Sequence, residues 1–217
     1  MLRSSAKTVT SVDFASLEGK VLALPRNRRA IVAIAGAPGS GKSTLAEALV
    51  DRLNAAEPGR AALLPMDGYH FDDTLLDALG RRARKGAPDT FDVDGLRAML
   101  VRLRANEDES VIVPVFDRAI EIARSGARPI ARSVSIIVVE GNYLLLADEP
   151  WRRLRPLFDL TVLLDVPEVE LRRRLTARWV GYGLSPDAIA AKLDGNDLPN
   201  GEIVRTRGIE PDMRLAN

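Results

Sequence analysis

"AIVAIAGAPGSGKSTLAEALV", residues 30–50, decides the architecture. AIVAIA is continuously apolar, the pattern of a strand covered on both faces. From Ser43 the spacing changes: Leu45, Ala48, Leu49 and Leu53 fall on one face of a helix expected over 43–56. Between them lies GAPGSGKS, residues 36–43, which matches G-x-x-x-x-G-K-[ST]. The glycines let the backbone curl until successive N–H groups point at phosphate oxygens, and the helix N-terminus adds its partial positive charge. Gly36, Ala37, Pro38, Gly39, Ser40, Gly41, Lys42, Ser43 and Thr44 are therefore candidates to hold a nucleoside triphosphate. Lys42 would reach the β- and γ-phosphates, and the Ser43 hydroxyl would ligate Mg²⁺. A chance match in a chain of this length is about one in a hundred on average residue usage. A glycine turn capping an ordinary helix is the competing reading.

Outward from this stretch, strand-like runs alternate with helical ones. AALLPM (61–66), VIVPVF (111–116), SIIVVE (135–140) and LTVLLDV (160–166) read as strands, and EIVRTR (202–207) as a late one. Helices are expected around 13–24, over GLRAMLVRLRA (95–105), over LRRRLTARWV (171–180) and over PDAIAAKLDG (186–195). Such alternation predicts an α/β protein with a mainly parallel sheet.

The 217 residues suit one domain, and 46% hydrophobic with 28% charged residues suffices for a substantial core. A net charge of +1 argues against a dedicated nucleic-acid binder. The chain has no cysteine, hence no disulfide framework or thiolate metal site. It has no apolar run near the roughly 18 residues of a membrane span and no apolar core of a secretory signal near its start. A cytoplasmic protein without membrane insertion is expected, with room for a homodimer.

Ligands of parallel sheets gather at the carboxyl ends of strands, where Asp67, Glu140 and Asp165 stand. Glu140 is where an acid would complete a Mg²⁺ shell, a solvated carboxylate being the alternative. Asp67 can accept the proton of an attacking hydroxyl, with metal ligation or turn capping as alternatives. Asp165, which leads into a helix, reads as a structural pairing or capping group. LRRRLTARW places Arg174 and Arg178 four apart on one helical face, with Arg173 beside them. That face could close over a triphosphate, form a basic patch or simply face solvent. GRRARKGAPDTFD (80–92) is too rich in Gly and Pro for a plain connector, and PMDGYHFDD (65–73) holds the single histidine, His70.

Taken in order, GAPGSGKST, MDGYHFDD, KGAPDTFD, VPVFDR, VVEGNYLLL, RLTARWVGYGLS and NDLPN resemble the phosphoribulokinase/uridine kinase family of P-loop small-molecule kinases. The match covers most of residues 30–200. The detail of FDR, EGNYLLL and NDLPN is similar to bacterial proteins described as fructose transport system kinases. The resemblance implies a three-layer P-loop NTPase fold with a five-stranded, mainly parallel core sheet and a helical arginine lid over about 168–195, preceded by an extension, 1–28. It implies ATP and Mg²⁺ and a small hydroxylated acceptor. It makes Asp67 the base, Asp92 a partner of sugar hydroxyls and Phe91 a neighbour of the acceptor. Tyr69, His70, Phe116 and Arg118 fall on the acceptor side, Glu140 in the Mg²⁺ shell, Arg174 and Arg178 in the lid, and Asn200 near the adenine.

Uridine kinases carry Tyr-Asp followed by Thr-His where this chain reads VFDRAIEIARS, without that threonine or histidine. A pyrimidine-reading site is therefore not expected, and the resemblance to fructose transport system kinases makes a sugar-like acceptor the leading expectation. A nucleoside or pantothenate-like acceptor, or a non-catalytic ATP-binding regulator of a transport system, is the alternative. His70 is expected to orient the acceptor, against a purely structural role.

Overall fold

The computed structural model describes residues 14–217. In chain order these form α1 (Phe14–Leu22), β1 (Ala30–Gly36), α2 (Lys42–Ala56), β2 (Ala61–Pro65), α3 (Asp73–Ala78), α4 (Val93–Ala105), β3 (Ser110–Asp117), β4 (Ile122–Ala131), β5 (Ile136–Gly141), β6 (Leu160–Asp165), α5 (Glu168–Gly181), α6 (Pro186–Lys192), α7 (Leu198–Thr206) and β7 (Met213–Ala216). Of the expected N-terminal stretch, α1 carries the helical part; residues 1–13 lie outside the described residues.

Among the described residues, five strands form one sheet in the order β2-β5-β1-β6-β7, every pair parallel. Alternation along β1 feeds two cores. Ile31, Ala33 and Ala35 join Leu64, Leu96, Leu100, Val139 and Trp151 on one face. Val32 and Ile34 join Leu17, Val21, Leu49, Leu53 and Val162 on the other. Helices therefore cover both faces, which gives the three layers and explains the continuous apolar runs of the central strands.

Register then sets the site. Ile34 pairs with Glu140, Gly36 with Leu164 and Pro65 with Glu140, so the phosphate loop, Asp67, Glu140 and Asp165 leave the sheet at one edge.

Two expectations change. EIVRTR is not a strand: residues 198–206 are helix α7, with a proline in its first turn and an i,i+3 pair between Glu202 and Arg205. α7 continues α6 through a π-helical turn at Leu193–Asp197, so EIVRTR ends a longer helical stretch that the six-residue run alone does not show. The edge strand is instead β7, MRLA. The strand at 111–116 forms, but as β3 it pairs antiparallel with β4 in a separate hairpin, with a register shift between Val113 and Val115. β4 has exposed residues along most of its length, so it had no apolar alternation to mark it. Among the described residues no helix is long and apolar enough to cross a membrane.

Candidate active site

The loop between β1 and α2 turns through two left-handed glycines, Gly39 at φ 79° and Gly41 at φ 90°. A side chain at Gly36 would come within 2.6 Å of the Ser40 hydroxyl. Gly41 occupies the N-cap of α2 with no side-chain cap, so the first N–H groups of the helix keep their donors for a ligand. The buried Ser40 hydroxyl has no protein partner either.

Lys42 is half-buried, and burial pulls its ammonium below the ordinary lysine value while Glu140 and Asp67 push it back. Glu140 is 5% exposed and accepts a hydrogen bond from the Ser43 hydroxyl at 3.1 Å. Burial raises its pKa, with Lys42 opposing. A hydroxyl beside a buried carboxylate suits a hard divalent cation that keeps several waters and takes other ligands from phosphate. Among the described residues no group of three or more His, Cys, Asp or Glu side chains could hold a metal alone. Ser43 and Glu140 thus fit Mg²⁺ only together with phosphate oxygens and water.

The arginine helix α5 lies on the loop. Leu175 packs so closely on Gly39 that an added Cβ would meet it at 2.9 Å. Arg174 is held by Glu170 at 2.7 Å and donates to the Ser40 carbonyl at 3.1 Å. Arg173 and Arg174 together hold the Glu170 carboxylate down to about 2. Arg178 lies near enough to Lys42 to depress it. Arg173 is turned outward on Glu170, 69% exposed. Of the two arginines four apart, Arg174 thus touches the loop and Arg178 acts on Lys42 through its charge.

A cavity of about 590 Å³ opens beside Gly41 and Thr44. Leu45, Ala48 and Leu215 give it an apolar lining, Arg174 a cation and Asn217 an amide. Phe14 of α1 completes a wall. Its size and position suit the nucleoside part of a nucleotide whose phosphates lie in the loop. Asn200 stands elsewhere. It is buried in α7 and donates to Asn196 at 2.9 Å, while its neighbour Gly201 abuts Ala37 across a separate cleft of about 50 Å³. Nothing in that placement brings Asn200 to the larger cavity.

On the other side of Lys42, Met66–Tyr69 forms a single 3-10 turn that ends β2. Gly68 is required there, since a Cβ would meet the Pro114 carbonyl of β3 at 2.6 Å. Asp67, 21% exposed at its side chain, is paired with Arg118 at 2.5 Å. His70 Nδ1–H donates to the Asp67 carbonyl at 2.8 Å, which leaves Nε2 as an acceptor in the neutral ring. The imidazole stands 4.0 Å from the Phe91 ring and 4.7 Å from Phe116, and burial lowers its pKa. Tyr69 is buried with a hydroxyl that has no protein partner, and burial raises its pKa, Asp92 adding to the shift. Asp92 is exposed and caps α4, accepting from Gly95 N–H at 2.8 Å. Asp165, as expected of a structural group, pairs with Arg214 at 3.2 Å.

The structure thus brings Asp67, Tyr69, His70, Phe91, Phe116 and Arg118 together, with Asp92 one residue from Phe91. It also adds residues the sequence reading missed. Tyr143 donates to the Gly86 carbonyl at 2.6 Å and Trp151 to the Pro88 carbonyl at 3.1 Å, pinning the 85–92 segment through an aromatic cluster with Phe91. Lys85 lies 5.4 Å from the Phe116 ring. Tyr143 lies inside EGNYLLL and Lys85 opens KGAPDTFD, motifs whose spacing alone does not show these contacts.

The chain matches the Phosphoribulokinase / Uridine kinase family over residues 31–199. A solved protein of Silicibacter sp. TM1040, provisionally described as a fructose transport system kinase, superposes with a TM-score of 0.87 at 40% identity, covering 94% of this chain and 99% of that one. The uridine kinase of Limosilactobacillus reuteri is 31% identical over 200 residues, 90% of this chain and 85% of that protein. The pantothenate kinase of Myxococcus xanthus is 30% identical over 157 residues, 69% of this chain and 49% of that protein.

Proposed function

The chain belongs to the phosphoribulokinase/uridine kinase family, and from that membership we propose that it moves the γ-phosphoryl group of ATP to a hydroxyl of a small, sugar-like alcohol. The observation that carries this reading is the meeting of three charges: Lys42 lies within the fields of both Glu140 and Asp67. A group that holds phosphate, an acid suited to a cation shell and a carboxylate base, paired to Arg118 through one oxygen only, therefore share one cleft.

Asp67 takes the proton of the acceptor hydroxyl as the new O–P bond forms and the bridging bond between the β- and γ-phosphates breaks, with ADP leaving. The loop N–H groups and Lys42 hold the phosphates, and Arg174 and Arg178 offset charge on the group in transit. Ser43 and Glu140 would hold Mg²⁺, which when bound neutralises the β- and γ-oxygens. Phe91 and Phe116 fix His70 between their rings, and its Nε2 is available to orient the acceptor. Tyr69 offers an unpartnered hydroxyl on the same side. The relatives span a sugar system, a nucleoside and pantothenate; the lack of the Thr-His pair speaks against a pyrimidine nucleoside, and the 40% identity to the protein described for fructose transport supports the sugar-like acceptor.

The test is ADP release by purified protein with Mg²⁺ and ATP across hexoses, pentoses, uridine, cytidine and pantothenate, with products identified by mass. Stimulation by one acceptor, reduced about 10²- to 10⁴-fold in Asp67→Asn while ATP still binds, is the expected result. Tight ATP binding with flat ADP release, unchanged in Asp67→Asn, would point instead to a regulatory nucleotide-binding protein.

A further inference from the structure

Resting on that reading, we infer that Asn196 is a positioning residue: from the π-helical turn that follows α6 it holds the acceptor-side segment 85–92, so that nucleotide bound in the phosphate loop tightens the hold on the acceptor.

The first ground is how that segment is tied. Gly86 turns the chain at φ 99°, and two successive carbonyls go to different parts of the molecule. The Gly86 carbonyl accepts from Tyr143, just beyond the end of β5, at 2.6 Å. The Lys85 carbonyl accepts from the half-buried Asn196 amide at 3.2 Å. The sheet side thus holds one carbonyl and the arginine-helix side holds the one before it. Farther along the same segment, Phe91 stands against His70.

The second ground is what holds Asn196. Leu193–Asp197 is a π-helix, a rare winding that recurs at functional sites. The Asn196 amide oxygen accepts from Asn200 at 2.9 Å, which aims its N–H groups at the segment. Gly201, next to Asn200, abuts the phosphate loop, where an added Cβ would meet the Ala37 side chain at 3.4 Å. Asp197, next to Asn196, accepts from the Trp179 indole N–H of α5 at 2.8 Å and feels the charge of Arg178. Asn196 is therefore backed by the phosphate loop through Asn200 and by α5 through Asp197, the two elements a triphosphate would engage. The Tyr143 hydroxyl feels Asp67, Asp197 and Asp89, so the base, the π turn and the acceptor-side segment surround one ring.

Tyr143, Trp151 and Arg81 donate independently to the carbonyls of Gly86, Pro88 and Asp89. Loss of the Asn196 bond leaves the segment on the core and cuts its link to the nucleotide side, which separates positioning from folding.

The test reads amide hydrogen exchange with and without Mg²⁺ and a non-hydrolysable ATP analogue. Wild type is compared with Asn196→Leu, which keeps the bulk and loses both hydrogen bonds; Asn196→Ala repeats the comparison where Asn196→Leu fails to fold. In wild type the analogue is expected to slow exchange in the loop, 36–44, and in 85–92, the latter by about 2- to 10-fold, the scale of one hydrogen bond. In the variant, loop protection should persist while the nucleotide-dependent change at 85–92 disappears. With the panel acceptor turned over fastest, the variant should raise the acceptor KM several-fold and leave the ATP KM nearly unchanged. Equal protection of 85–92 in wild type and variant overturns the inference, as does a protected loop beside an unchanged 85–92 in wild type; both leave the kinase reading standing. Asn196-dependent protection of 85–92 without turnover of any acceptor supports the inference while the kinase reading fails. An unprotected loop in wild type overturns both.

Discussion

The Ser43 hydroxyl donates to the Glu140 carboxylate at 3.1 Å, although 97 residues separate them. The parallel pairing of Ile34 with Glu140 produces this contact, by carrying the end of β5 alongside the strand that feeds the phosphate loop.

Glu140 gives the first prediction. Its folded pKa is raised by burial, so its charge opposes folding once pH climbs above the ordinary carboxylate value, and this cost grows until the folded pKa is passed. Glu140→Gln removes that cost. The nucleotide-free variant is expected to melt no lower than wild type, while the added thermal stabilisation from Mg²⁺ over ATP alone disappears. Thermal scans with ATP, with and without Mg²⁺, decide it; a full Mg²⁺-dependent gain in the variant would remove Glu140 from the cation shell.

Arg174 gives the second. It donates to the Ser40 carbonyl of the phosphate loop and lines the cavity beside it, so its charge acts on the phosphates and the group in transit. Arg174→Ala is expected to raise the KM for ATP and lower kcat, together about tenfold or more in kcat/KM, the scale of a charge-assisted hydrogen bond. The acceptor KM should hardly move. An equal rise in both would show that α5 shifted as a whole.

The third concerns Asp92, for which the family resemblance implies an acceptor contact and the structure shows a helix cap. Asp92→Ala is expected to lose about 1 kcal/mol of stability through the lost cap, seen as a lower Tm whether or not acceptor is present. Asp92→Asn keeps a cap, so its Tm should stay close to wild type. A raised acceptor KM in Asp92→Asn at normal Tm isolates binding from capping; an unchanged KM there removes Asp92 from the acceptor site.

His70 supplies the fourth. Its folded pKa lies below the ordinary 6.5 because the ring is buried. The unfolded chain therefore binds the proton first, and the stability owed to His70 is fully present above about pH 6.5 and lost as pH falls toward the folded value. Wild-type Tm should decline over that window more steeply than the Tm of His70→Phe. Parallel Tm-versus-pH curves would show that the ring titrates as it does in the open chain.

Much of this was legible in the chain itself. β1, the phosphate loop and α2 were readable because each is a local matter: an apolar run, two glycines with their backbone freedom, and a helical period within a few residues. The arginine helix was readable for the same reason, since residues four apart share a face. Residues 202–207 resemble a strand in isolation because the helical stretch that leads into them, from Pro186 through the π turn, lies outside the run, and β7 is only four residues long. β4 escaped because an exposed hairpin strand carries little hydrophobic pattern.

By itself the sequence determined the α/β class, the phosphate loop, the two arginines above it and the short list of acids at strand ends. Only the tertiary structure decided which of those acids faces Lys42, that Arg118 rests on Asp67, that Lys85 and Arg118 share the Phe116 ring, and that Asn200 turns to Asn196. The physical reason is range. Periodicity and backbone preference act within a few residues, whereas Asp67 and Arg118 lie 51 residues apart and Ser43 and Glu140 97, and these meet through strand register and side-chain burial.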